Sequence, residues 1–430
     1  MRQYFLEKLD ESEILSLASR RSGDLCETLS TVREIISNVY ENRDKALVEY
    51  SKRFDGADLE SFAVTEQEII EAELLVSDEV KHALVTAAAN IEAFHKPQIP
   101  GSIEVETTDG VSCRLEWMPV RRVGLYIPGG VAPLASTVLM LALPARLAGC
   151  LEIVLCTPPS RTGAAAPEVI YAAALCGVKN IFKVGGAQAI AAMGLGTETV
   201  PKVSKIFGPG NRFVAAAKSL ISQPPYNVAI DMLAGPSELV VIVDETADPG
   251  WVASDLLSQT EHGPDSQVVL ITTSTAVAAN VQQELARQLD SLPRRRASVQ
   301  SLENSFTIIA PSLSEAMEFA NLYAPEHLIL AVSEAERFAR EVNNAGSVFI
   351  GPFSSVVFGD YASGTNHTLP TGGTAAATGT LTVQSFMKPV AFQKISGQGL
   401  RSIAGVVKRL ARAEGLEAHA RAVEIREEGL

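Results

Sequence analysis

Apolar positions follow two regimes along the chain. From residue 1 to about 110 they recur every three or four residues between charges, most clearly at Glu27 to Tyr50 and Glu66 to Phe94, which predicts amphipathic helices. The run Lys96-Pro97-Gln98-Ile99-Pro100-Gly101 breaks that pattern, and the alternation from Ile103 to Pro119 predicts a hairpin. From Val123 onward, short β-branched runs alternate with helical stretches. The predicted strands are Val123–Ile127, Ile153–Cys156, Ile181–Val184, Ser204–Phe207, Leu239–Val243, Val268–Thr272, Phe306–Ile309, Leu328–Leu330 and Val348–Ile350. This alternation predicts α/β architecture with mostly parallel sheets. The strands exceed one comfortable sheet, and the stretch Ala229–Pro236 divides them into two units. Gly359 to Gly379, rich in Gly, Thr, Ser and Ala, is either a linker or a loop that approaches a ligand closely. From Leu400 the pattern is helical and strongly charged. That tail is too small to fold alone, so it packs on another domain or on a partner subunit.

Composition narrows the class. The chain has 430 residues, a prior of two to four domains. With 47% hydrophobic and 20% charged residues it is globular, not disordered. A net charge of −14 argues against nucleic acid as partner, and the densest basic run, Arg294-Arg295-Arg296, is too short to reverse that. The five cysteines, Cys26, Cys113, Cys150, Cys156 and Cys176, are odd in number and form no CxxC, which fits a reducing compartment. The opening MRQYFLEKLDESEILSL has no apolar core of a signal peptide. The longest apolar stretch, Val131 to Ala145, contains Pro133, Ser136, Thr137 and Pro144 and falls short of the roughly 20 residues of a membrane span. The expectation is a soluble, cytoplasmic protein with no membrane partner.

Few residues can carry chemistry. His82 and His95 read as a solvated helix face. Gln259 and His262 end a helix stopped by Gly263-Pro264 and share a face, which suits half of a metal site or a His at a helix C-terminus. Glu326-His327 precedes a strand; a carboxylate beside an imidazole suits acid–base work, or is a plain surface pair. No HExxH exists, so this is not a zincin. Asp360 and His367 flank the glycine-rich loop, and Glu414 and His419 lie in the tail; taken singly, each reads as an ordinary turn or surface residue. The fingerprint GxGxxG is absent. Gly-rich turns nevertheless follow predicted strands at Tyr126–Gly130, Val184–Gln188 and Gly208–Phe213, where α/β sheets bind ligands.

Together these segments resemble the histidinol dehydrogenase family. The resemblance rests on IDMLAGPSE at 230–238, DLLSQTEH at 255–262, GLYIPGG at 124–130, GGAQAIAA at 185–192, FGPGN at 207–211, YAPEHL at 323–328, GDYASGTNHTLPT at 359–371 and EGLEAHARAV at 414–423. It runs over nearly the whole chain. One departure follows Thr374-Ala375, where family members often carry Arg and this chain has Ala376 and Ala377.

The resemblance implies two incomplete Rossmann-like domains, similar to aldehyde dehydrogenases, with small helical N- and C-terminal domains. Its division of the chain is an N-terminal helical segment 1–25, a first domain from 26–122 plus 237–380 with the zinc and catalytic residues, a NAD-binding domain 123–236 and a C-terminal helical tail 381–430 that contributes to the partner's active site. It implies one zinc per subunit on Gln259, His262, Asp360 and His419, with Glu326 and His327 as the catalytic pair. Substrate contacts fall on Ser237, His367 and Glu414 together with the zinc and catalytic residues, and NAD contacts on Tyr126, Gln188 and Asn211. The implied activity is oxidation of L-histidinol through L-histidinal to L-histidine with two NAD, in a homodimer whose tails reach into the neighbour's active site. An NAD-dependent dehydrogenase of another amino alcohol or polyol is the alternative, separated by a substrate panel.

Overall fold

The structure, a computed structural model, describes residues 1–19, 25–129, 133–233, 235–293 and 295–430, with Leu25 and Cys26 described by backbone alone. Gly130 of the first Gly-rich turn, Ala234 of the 230–238 motif, Arg294 of the basic run and the Cys26 thiol lie outside the described residues.

Two parallel sheets form the framework. The first has five strands in the order Asn180–Lys183, Glu152–Thr157, Arg122–Tyr126, Lys205–Phe207 and Ala229–Ile230. The second has six, in the order Arg2–Phe5, Phe306–Ile309, Gln267–Thr272, Glu238–Val243, His327–Ala331 and Ser347–Ile350. The inner strands are buried on both faces, which is why Leu239 to Val243 and Val268 to Ile271 are unbroken apolar runs instead of alternating ones. The predicted strands are found within about two residues, and residues 231–237 connect a strand of the first sheet to a strand of the second.

Three features differ from expectation. Residues 1–110 are not all helical: Arg2–Phe5 pairs in parallel with Phe306–Ile309 as an edge strand, too short to show a period. His95 is fully buried, not on a solvated face; its Nδ1–H donates to the Ile91 carbonyl at 2.8 Å, and Nε2 lies 3.4 Å from Asn366 Nδ2. Finally, the helices between 25 and 95 put their apolar faces on the five-stranded sheet. Val32, Ile36 and Leu47 pack with Val154, Cys156 and Ile190, while Leu84 and Ile91 pack with Leu139, Leu141 and Leu155. The expected grouping of 26–122 with 237–380 differs from this packing, because an amphipathic pattern marks an apolar face without naming the sheet it covers.

The predicted hairpin is present as Ile103–Thr108 and Val111–Pro119, joined by Met387–Ile395 into a three-stranded antiparallel sheet, so the tail 381–430 is not helical throughout as expected: its first part is paired as a strand. The C-terminal helices Gly397–Ala413 and Glu417–Glu428 pack chiefly on each other and, through the first, on that sheet. Among the described residues, no helix is long and apolar enough to cross a membrane.

Candidate active site

The two parallel sheets meet edge to edge. Only the seven residues 231–237 join the carboxyl end of Ala229–Ile230 to the amino end of Glu238–Val243. Fully extended they span at most about 25 Å. The carboxyl edge of the five-stranded sheet therefore lies near the amino edge of the six-stranded sheet. The loop around 366–373 laces the two. Asn366 Nδ2 donates to the Met140 carbonyl at 2.7 Å, Thr371 Oγ1 accepts from the Gly235 N–H, and Glu238 Oε1 accepts from the Gly372 N–H at 2.9 Å.

Glu326 and His327 stand at this junction, at the start of His327–Ala331. They are 6% and 4% exposed. Glu238, on the adjacent strand, holds both through its backbone: its N–H donates to Glu326 Oε2 at 2.9 Å, and its carbonyl lies 3.1 Å from His327 Nδ1. A carbonyl only accepts, so Nδ1 carries the proton and Nε2 presents a lone pair. That Nε2 is buried with no hydrogen-bond partner, 3.8 Å from Asp360 Oδ1. Burial drives the His327 pKa down to about 3, so the ring is neutral throughout the physiological range. Burial also pushes Glu326 well above the ordinary carboxyl range, reinforced by the Glu238 and Asp360 carboxylates and opposed by hydrogen bonds from the Glu238 N–H and the Ser237 side chain.

Asp360 lies on the short helix Val356–Tyr361, and burial raises it to about 7. His367 is fixed at both ring nitrogens. Nδ1–H donates to the Asp360 carbonyl at 2.8 Å, and Nε2 accepts from Thr137 Oγ1 at 3.1 Å. Thr137 belongs to the helix Ala135–Leu147, so His367 bridges the two units. Burial lowers it to about 4, with a further push from His262. The His262 charge also bears on His327, which puts all three imidazoles in one neighbourhood.

Gln259 closes the site from the helix Pro249–Thr260. It is 1% exposed, and neither its Oε1 nor its Nε2 has a hydrogen-bond partner. A buried amide left unpaired costs about 1–3 kcal/mol, so this side chain is suited to a ligand. Glu414 and His419 are not brought in by their own chain's packing; both are exposed, Glu414 in the turn between the tail helices and His419 on the second. Among the described residues, no three His, Cys, Asp or Glu side chains form a metal-binding group. Gln259, His262 and Asp360 are of donor types that zinc accepts, an amide oxygen, an imidazole and a carboxylate, and the orphaned, buried Gln259 amide fits a ligand there.

Asp255 ties the helix that carries Gln259 to the start of the helix that carries Asp360, since its Oδ1 accepts from Ser355 Oγ at 2.5 Å. Burial raises Asp255 from 3.8 to about 6. A raised folded-state pKa favours folding below the unfolded value, and that contribution fades as pH rises through about 6. Asp255→Asn, which cannot ionise, should therefore match the parent near pH 4 and exceed it at pH 8 by on the order of 2–3 kcal/mol in urea unfolding. A difference that stays constant from pH 4 to 8 would contradict this.

Tyr126, Gln188 and Asn211 all lie at the carboxyl edge of the five-stranded sheet. The Tyr126 hydroxyl accepts from the Gly186 N–H at 3.0 Å, and Asn211 Oδ1 caps the helix Arg212–Ile221 through the Phe213 and Val214 N–H groups. Gln188 is buried in the first turn of Gly186–Leu195. Pro158 packs so tightly against Gly129 and Gly185 that a Cβ at either would meet it at 2.5 Å, so both turns pass close together with no side chains between. That edge, bare of side chains at the ends of parallel strands, fits a dinucleotide. Sequence reasoning missed Thr137, hidden in an apolar run, and Glu238, whose work is done by its backbone.

The chain matches the family model described as Histidinol dehydrogenase over residues 18–427. It is 52% identical over 396 residues to the histidinol dehydrogenase of Bacteroides thetaiotaomicron, covering 92% of each chain. To the chloroplastic histidinol dehydrogenase of Arabidopsis thaliana it is 48% identical over 427 residues, covering 99% of this chain and 91% of the relative. Its fold matches the crystal structure of histidinol dehydrogenase from Elizabethkingia anophelis with a TM-score of 0.96 and 46% identity, over 100% of this chain and 98% of that one.

Proposed function

The chain belongs to the histidinol dehydrogenase family, and from that premise we propose that it oxidises L-histidinol through L-histidinal to L-histidine with NAD as the oxidant. The observation that carries this reading is the buried His327, its Nδ1–H tied to a carbonyl and its Nε2 lone pair free at the junction of the two sheets.

In the first oxidation His327 Nε2 takes the hydroxyl proton as hydride leaves the same carbon, and the Asp360 carboxylate offsets the charge arriving on the ring. Glu326 then takes a proton from water as the oxygen adds to the aldehyde. A carboxyl whose proton affinity is raised by burial is a stronger base towards water than an ordinary carboxylate. The hydrate has the hydroxyl and hydrogen of an alcohol, so His327 repeats its role. Tyr126, Gln188 and Asn211 would hold the dinucleotide, which would supply the hydride acceptor in both oxidations. Gln259, His262, Asp360 and His419 would hold zinc, which would supply a template that orients the substrate through its amine and imidazole. Ser237, His367 and Glu414 complete the substrate contacts. Because the chain's own packing leaves Glu414 and His419 exposed on the tail, the active unit is a homodimer with shared sites.

NADH yield tests the reading. With excess NAD, each L-histidinol should yield two NADH and one histidine. A yield of one, with aldehyde released, would remove the second oxidation, and no yield would remove the function.

A further inference from the structure

The turn Gly208–Asn211 is held by a charge pair that belongs to none of the expected site residues. Lys218, within the helix Arg212–Ile221, pairs with Asp231, the first residue of the link between the sheets, and the two side chains are 2% and 1% exposed. Lys218 Nζ also donates to the Gly208 carbonyl at 3.0 Å. Asp231 Oδ2 accepts the Gly208 N–H at 2.8 Å, and Oδ1 accepts the Met232 N–H at 2.6 Å. Both backbone polar groups of Gly208 are therefore taken by the two members of one pair. Gly208 itself has φ 123°, and a Cβ there would collide with the Tyr126 carbonyl oxygen, so the turn crosses directly over Tyr126.

Desolvation offsets much of what a buried ion pair gains, so such a pair is poor evidence for stability alone. What distinguishes this one is where its hydrogen bonds go. One set fixes the turn that ends in Asn211. The other fixes the start of the link, whose far end presents Ser237 and the Glu238 backbone to Glu326.

We propose that Lys218 and Asp231 are positioning residues that set the turn Gly208–Asn211 against the link 231–237, and thereby govern binding of the dinucleotide separately from binding of the alcohol. This rests on reading that turn as part of the dinucleotide site. Asp231 uses both oxygens as acceptors. Asp231→Asn turns one of them into an NH2 group that faces a backbone N–H, so the turn or the link must move. Lys218→Met combined with Asp231→Asn removes both charges, leaves no unpaired buried ion and still lacks the tether to the Gly208 carbonyl.

The test measures KM for NAD, KM for L-histidinol and Tm in the parent, D231N and K218M/D231N. The expected result is an NAD KM raised on the order of ten-fold in both variants, a misplacement effect, with the L-histidinol KM within about two-fold of the parent. Calorimetric titration with NAD should show the same loss. An unchanged NAD KM in the folded double variant overturns the proposal. So does a parallel rise of both KM values with a fallen Tm, which marks general loosening, and so does failure of both variants to fold, which marks a folding device. A parent that NAD does not saturate counts against the function, not against this pair.

Discussion

Replacing His327 with Asn should lower turnover of L-histidinol by about 10²–10⁴-fold, the usual contribution of a positioned base. The asparagine amide still donates to the Glu238 carbonyl, which preserves the local backbone contact, but no lone pair remains where Nε2 stood. Glu326→Gln should behave differently. It keeps an acceptor for the Glu238 N–H and loses only the capacity to take a proton from water. The first oxidation needs no water, so a single turnover of L-histidinol to the aldehyde should stay within a few-fold of the parent. Turnover of L-histidinal, which must be hydrated first, should fall by two orders of magnitude or more. Measuring both substrates with both variants decides the matter. Equal loss on L-histidinol and L-histidinal in both would end the division of labour between the two side chains.

How far the sequence alone reaches depends on whether a feature leaves a local pattern. Leu239 to Val243 is legible as a strand because double-sided burial in a parallel sheet requires an unbroken apolar run. Arg2–Phe5 is not, because an edge strand of four half-exposed residues has neither length nor period. His95 sits among Ala, Lys and Glu, and only the loop that returns as Asn366, 271 residues later, makes it a core residue. Within the site, residue types in an ordered series of motifs pointed to Glu326, His327, Asp360 and His367, which the fold gathers at one junction. The parts left unread act through contacts that carry no local signature. Glu238 works through its peptide group. Lys218 and Asp231 are 13 positions apart and meet only because a helix and a strand return to one turn.

An active site divided between two chains should show itself by complementation. The tail helices Gly397–Ala413 and Glu417–Glu428 turn Val406, Leu410, Leu416 and Ile425 to solvent, an apolar surface that its own chain leaves open. Glu414 and His419 are exposed on the same tail, away from the Gln259 amide whose buried atoms lack partners. With Gln259, His262 and Asp360 as the proposed ligands and His419 exposed on the tail, a two-fold dimer would let each tail complete its neighbour's shell. His419→Ala and Glu326→Gln should each be inactive in complete oxidation of L-histidinol. The first lacks a ligand donated across the interface, and the second lacks a base within its own chain. When the two are unfolded together and refolded, half of the dimers are mixed. In each mixed dimer one site receives the intact tail from the E326Q chain onto the intact Glu326 of the other chain, while the second site carries both defects. Activity should therefore return from background to about one quarter of the parent's per subunit, while the zinc content of the pool stays near one half, because mixing only redistributes the intact tails. Differently tagged chains would show by pull-down that mixed dimers form. If they form and stay inactive, His419 serves the zinc of its own chain, and the tail must swing back across the three-stranded sheet to reach it.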